Sequence, residues 1–466
     1  MHAFWLALRN LQRNRRRSMT TLLAMVVGVC ALLLFGGFSR DITLGMQTDI
    51  VQHSGHLQIQ RRGFFMYGSG NSAAYGIRDY GRLVAVLRGD PVLRTMALVV
   101  TPTLQLGGVA GNFNAGVSRT VMAEGSIAAD QSRMQEWNDY GFPLTSRPFA
   151  LENTAEDAAV AGVGLARVLQ LCVPLHIQDC RPDEVMSDHP VAAASVDAPT
   201  DVMALAALEV PAGRADSTAR IDVLAANTHG APNVGSFTVV KAEEQGVKEF
   251  DDVYLALHLP RAQRLVYGGD EPRVTALEVQ LRHTNQLPAA RQRIEQILAT
   301  QFADQSLAVL DFATLNPFYG QTNSMFSVIF GFMFVMVSVI VLFVVSNTMS
   351  MAIIERTVEI GTLRAMGMRR GGIEALFTLE GLLLGFAGAA AGVVIALLLA
   401  IVINHSGLSW TPPARTDPVA LTVRVWGAWE QIGMTFFSLA LVASLSAWWP
   451  ARHAARLSIV DALRHV

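Results

Sequence analysis

Groups able to bind a metal stand close together at two places in this 466-residue chain: His53 with His56, and His176 with Asp179 and Cys180. Imidazole, carboxylate and thiolate are transition-metal ligands, but a site takes four of them, or three with an open position. Neither group completes that set at motif spacing, so both read as polar residues in loops. Gly68-Ser-Gly-Asn-Ser72 has the backbone freedom to cradle a phosphate, yet it lacks the lysine and the strand-to-helix context, and reads as a flexible loop. Only two lysines occur, Lys241 and Lys248; neither follows Gly or precedes Ser or Thr, so no Walker A loop can be built. There is no His-Glu-x-x-His, no Gly-x-Ser-x-Gly and no repeated Cys-x-x-Cys. A membrane-anchored enzyme would need a catalytic constellation, and the spacing offers none. The sequence nominates no catalytic, cofactor or metal residue.

The three cysteines divide by surroundings. Cys30 lies inside an apolar run and reads as a small packed hydrophobe. A lipoprotein signal also places a Cys after such a run, but Val29 is branched where that signal takes a small residue. Cys172 and Cys180 fall in the polar middle of the chain. In an oxidising compartment two thiols this close can pair, which spacing alone leaves open.

The elements that carry these residues follow from hydropathy. With 51% hydrophobic and 16% charged residues and a positive mean hydropathy, the composition departs from that of an ordinary soluble protein. A net charge of −2 gives no footing for nucleic acid. Four apolar runs, 20–38, 324–354, 375–404 and 432–450, are each long enough to cross a hydrocarbon layer of roughly 30 Å. Ahead of the first, residues 1–19 set Phe4, Trp5, Leu8 and Leu11 on one helical face with arginines elsewhere. This reads as an amphipathic helix on an anionic membrane face, with a nucleic-acid arm as the weaker alternative. Arginines cluster at 1–19, in the segment 355–374 and in the tail 451–466, whereas the loop 405–431 has only Arg415 and Arg424. The positive-inside rule then puts both termini in the cytoplasm and residues 39–323 outside it. Trp410, Trp426 and Trp429 suit an interfacial belt. Glycines 381, 385, 388 and 392 let helices approach closely.

Residues 39–323 read as a folded α+β domain. Gly55–Gln60, Thr95–Leu106, Ser118–Ala123, Arg220–Ala225 and Ser236–Ala242 have extended patterns. Asp79–Leu87, Ala158–Leu171 and Leu287–Phe302 have helical ones. Prolines 174, 182, 190, 199 and 211 interrupt residues 172–220, which look like an insertion or loop-rich lobe. The fold class expected is therefore a four-helix membrane protein with a large extracytoplasmic α+β domain between its first and second spans.

Between the second and third spans lies Glu355-Arg-Thr-Val-Glu-Ile-Gly-Thr-Leu-Arg-Ala-Met-Gly367. Val358, Leu363 and Met366 can share one face of a short helix, with Glu355, Arg356, Glu359 and Arg364 around the rest. Glu355 and Glu359, four apart, repel by a few tenths of a kcal/mol unless a cation answers them, and a partner protein is one source of that cation. Two readings stand: a charged turn that fixes topology, or a docking element.

The pattern Glu-Arg-Thr-x-Glu-Ile-Gly-x-Leu-Arg-Ala-x-Gly resembles the MacB/FtsX-type permeases of ABC transporters. The ending Pro450-Ala-Arg-x-Ala-Ala-Arg456 with Asp461-Ala-Leu-Arg464, and Leu8-Arg-Asn-Leu11 near the start, are similar to the same family. Gly162-Val-Gly-Leu-Ala166 looks like a family helix, and Phe250–His258 resembles a family strand entering a helix. The resemblance implies that 355–374 holds a coupling helix, with Glu355, Arg356, Glu359, Ile360, Gly361, Leu363, Arg364, Ala365, Met366 and Gly367 meeting the ATPase. ATP and Mg would be bound by that separate subunit, present in two copies, beside a second permease copy or paralogue. A periplasmic adaptor or acceptor protein and membrane lipid complete the implied partners. The outer domain would comprise a porter-like lobe and an inserted β-rich lobe at about 142–250. The layout is similar to the lipoprotein-releasing LolC/LolE-like permeases of the bacterial inner membrane. The implied function is export or extraction of an amphiphile by mechanotransmission, the alternative being an FtsX-like transducer that activates an extracytoplasmic hydrolase.

Overall fold

A computed structural model describes residues 15–142, 148–177, 219–411 and 418–456. Most of the N-terminal amphipathic stretch, the Asp461–Arg464 ending, Cys180 and nearly all of the proline-interrupted 172–220 lie outside the described residues. In chain order the main elements begin with helix α1 (Arg15–Ser54), strand β1 (Leu57–Arg61), the one-turn helix α2 (Phe64–Tyr67) and α3 (Tyr80–Gly89). Then come β2 (Ala97–Asn112), β3 (Val117–Ser126), α4 (Ala128–Gln135), β4 (Ala158–Gly162), β5 (Arg220–Ala226) and β6 (Pro232–Glu243). After them follow β7 (Tyr254–His258), α5 (Leu259–Tyr267), β8 (Ala276–Leu281), α6 (Leu287–Gln301) and β9 (Leu307–Asp311). The last helices are α7 (Pro317–Glu355), α8 (Thr357–Ala365), α9 (Arg370–His405) and α10 (Trp429–Arg456). They form two compact units: a helical one from the described residues up to Gly45 with Phe318–Trp410 and those from Val419 onward, and a sheet unit built on Met46–Pro317.

In the helical unit α1, α7, α9 and α10 are each long and apolar enough to cross a membrane. Where they touch, side chains are small. A Cβ added at Gly381 would lie 2.2 Å from that of Ala447, and one at Gly385 would lie 2.8 Å from that of Ala443, both on α10. Gly388 and Gly392 meet Met25 and Val29 of α1 in the same way, at 2.8 and 2.6 Å. The four glycines thus split into two pairs that let α9 lie against two helices, and close packing is what holds such helices together where solvent is not expelled between them. Cys30 is packed in this cluster and its Sγ donates to Gly392 O at 3.4 Å. Beyond the apolar core, Arg424 Nε donates to Asp41 Oδ1 at 2.6 Å, tying the loop before α10 to α1.

The sheet unit turns on one long strand. The second half of β2 pairs with β3 on one side and β5 on the other, and β3–β7–β4–β6–β5 completes the circuit. These six strands close into a barrel, which removes their free edges. Leu106, Ala110, Val121, Ile221, Phe237 and Leu255 are buried in its core cluster. The first half of β2 pairs instead with β8, which leads through β1 to β9 in a four-stranded antiparallel sheet. One face of that sheet is apolar, with Leu57, Ile59, Leu277 and Val279 buried beside Ile294 of α6.

One expected helix is shorter than its pattern suggests. Ala158–Leu171 begins as strand β4, and only Val163–Val168 is helical. All five β4 residues are buried, parallel to β6 and antiparallel to β7, so Ala158-Ala-Val-Ala-Gly162 shows no alternation. A short apolar run without period fits a core strand as well as a helix, and here tertiary pairing decided. Gly162 permits a close approach, since a Cβ there would stand 2.2 Å from Asp251 O.

Candidate functional site

The charged segment folds as its own residues dictate. α7 ends at Glu355, and Arg356, at φ −110° and ψ 17°, takes the chain out of helical geometry. α8 then runs for nine residues until Gly367, at φ 96°, adopts the left-handed conformation that closes helices and that glycine enters without strain. Arg369, extended at ψ 153°, starts α9.

Arg356 fastens this short helix. Its Nε donates to Glu359 Oε2 at 3.0 Å and its Nη1 to Glu380 Oε1 of α9 at 3.2 Å, while the guanidinium lies 5.6 Å from the Phe377 ring centroid. The side chains of Arg356 and Glu380 are only 12% and 5% exposed, so each charge relies on the other. Ile360, one turn beyond Arg356, is buried with Ile353, Ile373, Phe377, Ala451, Ala454 and Ala455 of α7, α9 and α10. Arg356 and Ile360 therefore share the inward face, with buried Gly361 beside them.

The apolar face expected at Val358, Leu363 and Met366 is not the buried one. Val358 and Met366 are 46% and 72% exposed, and Leu363 is half-buried with Arg364. A nine-residue helix has room for one anchored face, and the Arg356–Ile360 pair takes it. The cation that answers Glu359 also comes from this chain rather than from a partner. Val358, Glu359, Thr362, Ala365 and Met366 are left exposed, with Glu355 and Gly367 at the ends. The result is a helix bolted to the long helices on one side and open on the other. Sequence reasoning missed Glu380; its signal was a lone acid inside the apolar run that begins at Ala375.

The other nominated residues lie apart from this segment. His56 Nδ1 accepts from Leu281 N at 3.0 Å, Nε2 lies 3.2 Å from Thr284 Oγ1, and the ring packs edge-on against Trp137. Burial pushes its pKa down to about 4, against a smaller opposing pull from Asp139, so the imidazole is neutral and both nitrogens are engaged within the sheet unit. His53 lies on the exposed side of α1, its Nδ1 2.8 Å from Asp49 O. Gly68–Ser72 forms short 3₁₀ turns around Asn71, whose side chain accepts from Ala74 N. Pairing of Cys172 with Cys180 lies outside the described residues.

Residues 331–459, from within α7 through α10, match the family model for the FtsX-like permease C-terminal domain. An uncharacterized ABC transporter permease of Methanocaldococcus jannaschii is 32% identical over 49% of this chain and 55% of its own length. The macrolide export ATP-binding/permease protein MacB 1 of Aeromonas hydrophila is 27% identical over 46% of this chain and 31% of its own. Over these residues the chain is similar to permeases of the MacB/FtsX type. Escherichia coli K12 MacB shows 33% identity over 26% of this chain and 16% of its own length. The chain spans about half the length of the first of these relatives and a third or less of the two MacB proteins, and it matches their permease part. α8, the Arg356–Glu380 pair and the Gly381–Ala447 and Gly385–Ala443 contacts all lie within the matched region, whereas Gly388 and Gly392 meet α1 outside it.

Proposed function

We propose that this permease is the membrane subunit of an ABC transporter and that α8 is its coupling helix. A separate ATPase, in two copies with bound ATP and Mg, docks on the exposed Val358, Glu359, Thr362 and Met366 face. Closure of the ATPases pushes α8, and the Arg356–Glu380 bond together with Ile360 passes the push to α9 and α10. A second permease copy or paralogue faces this one. The four long helices lie in a bacterial inner membrane with both termini cytoplasmic, as the arginine distribution supports. The sheet unit lies in the periplasm and acts there on an amphiphile such as a lipoprotein, peptide or hydrophobic small molecule, with an adaptor or acceptor protein and lipid as further partners. The layout follows that of lipoprotein-releasing permeases.

The observation that carries this reading is the two-sidedness of α8: one face is locked to the long helices by a buried ion pair, and the other shows apolar side chains to solvent. A loop that only set topology would need neither. Met366→Asp places a charge in the exposed face without touching the anchor. Co-purification with the ATPase should fall by at least about tenfold, the equivalent of one 1.4 kcal/mol step, while the amount of inserted permease stays the same. Undiminished co-purification rejects the coupling assignment.

A further inference from the structure

In the sheet unit, α2 puts three large side chains in succession into solvent: Phe65, Met66 and Tyr67 are 42, 69 and 73% exposed. Single apolar residues on a surface are ordinary, whereas a contiguous set marks a contact. This set is also held in place. Gly63, at φ 85°, turns the chain out of β1 in a conformation that glycine enters without strain. Phe64 is buried beneath the turn, its ring centroid 5.9 Å from that of Tyr75. A Cβ on Gly68 would stand 2.1 Å from the Phe64 ring, so the anchor is clasped between two glycines. A knob fixed in this way loses little conformational freedom when something binds it.

Arginines stand beside the knob. Arg61 and Arg62 border the same groove as Phe65, Met66 and Phe302. Arg62 N donates to Ser306 O at 3.0 Å, and the Gln305 side chain brackets the main chain of Arg78, with both hydrogen bonds at 3.1 Å. The Arg82 guanidinium lies 5.3 Å from the Phe302 ring centroid. Four arginines thus gather around the turn 302–306. Arg61 is half-buried and the other three are exposed. Among the described residues none of the four forms an ion pair, and Arg61 Nη1 donates to a neutral acceptor, Ala74 O, at 3.3 Å. Against them the segments 61–82 and 302–306 set two acids, Asp79 and Asp304, and no lysine. Aromatic side chains and Met beside Arg, without Lys, are the residues enriched at the centre of protein interfaces. The knob projects, which suits the face of another protein better than enclosure of a small ligand. The surplus of guanidinium groups favours a face that carries carboxylates.

We propose that α2 and the arginines beside it are a docking surface for an acidic partner polypeptide. The partner lays an apolar face over Phe65, Met66 and Tyr67, and carboxylates at the border of that face meet Arg61, Arg62, Arg78 and Arg82. The proposal is independent of the coupling role of α8, so failure of one leaves the other standing.

The test uses the full chain in phosphatidylcholine nanodiscs and fluorescent helical peptides with leucine and tryptophan along one face and aspartates on either side of it. The acidic peptide should bind. Peptides with lysine in place of aspartate, or serine in place of leucine and tryptophan, should bind at least about tenfold more weakly. In the chain, Met66→Ser with Tyr67→Ser removes the two most exposed side chains of the knob and leaves its Phe64 anchor in place. This variant should keep the native Tm and lose at least about tenfold in affinity for the acidic peptide. Arg62→Glu with Arg78→Glu should reverse the preference between the acidic and basic peptides. No binding of the acidic peptide, equal binding of the acidic and basic ones, or undiminished binding by the Met66 and Tyr67 variant overturns the proposal. Two further results would overturn it in favour of another occupant. Self-association of the chain that this variant abolishes would assign the surface to a second copy. Binding to phosphatidylglycerol vesicles that the variant abolishes would assign it to lipid.

Discussion

The two units neutralise their most deeply buried acid by opposite means. On the helical unit apolar side chains point outward as well as inward: Phe332, Phe343, Phe437 and Trp449 are 68, 69, 67 and 74% exposed. The buried acid of that unit, Glu380, is matched by a guanidinium. The sheet unit keeps Leu57, Ile59, Leu255 and Leu257 inside a barrel and its adjoining sheet. Its most deeply buried acid, Glu278, accepts from the neutral amide of Gln58 at 3.1 Å. Burial first, and then the like charge of Glu124, push the Glu278 carboxyl well above the usual range, so a proton supplies the neutrality that Arg356 supplies to Glu380. A charge held by another side chain is lost by substitution, whereas one cancelled by a proton is restored by pH.

Removing one partner of the ion pair should have the largest effect. Glu380→Ala removes the buried partner of Arg356, whose side chain is 12% exposed, and leaves it only the half-exposed Glu359, which destabilises by up to about 3 kcal/mol. Thermal unfolding in micelles should show a large fall in Tm, and Glu380→Gln, which keeps an acceptor, a smaller one. Equal Tm values for the native chain and Glu380→Ala would mean that α8 is held by Ile360 alone. The sheet unit offers a milder counterpart in Asp90. Arg293 Nη2 donates to its Oδ2 at 2.7 Å, and Val92 N and Leu93 N each donate to Oδ1 at 3.0 Å. The hydrogen bond from Arg293 leads the causes that hold this carboxyl below its usual range, so its stabilisation is complete above the unfolded pKa and fades as pH falls through the folded one. Asp90→Asn should lower Tm modestly at neutral pH and not at all at strongly acid pH. A Tm loss independent of pH would assign the effect to packing.

The same contrast governs what could be read in advance. Four apolar runs announced α1, α7, α9 and α10, because length and hydropathy suffice for that. They did not announce that α1 continues to Ser54, since Ser39-Arg-Asp-Ile-Thr-Leu-Gly45 is polar enough to pass for a loop. Alternation located β1 and β5, but barrel closure depends on the parallel pairings β3–β7 and β4–β6, which join distant segments and leave no local period. At the candidate site the charged residues were legible by type. Their orientation was not, because what turns Arg356 and Ile360 inward is Glu380, Phe377 and Ala451, each far along the chain.

The smallest effect expected is the one that best separates the two means of neutralising charge. Glu278 has a raised pKa in the folded state, so its contribution to stability is whole below the unfolded carboxylate pKa of about 4.3 and is lost as pH rises through the folded value. Glu278→Gln is neutral at every pH and nearly isosteric. Between about pH 5 and about pH 8, at values above that unfolded pKa, the native chain should lose Tm relative to this variant, with the variant the more stable at the upper end. The widening should shrink when Glu124→Gln is added, since the like charge is the smaller of the two causes that raise Glu278. A gap that stays constant with pH would show Glu278 ionised in the folded chain, with a cation nearby, and Glu278 would then be neutralised as Glu380 is.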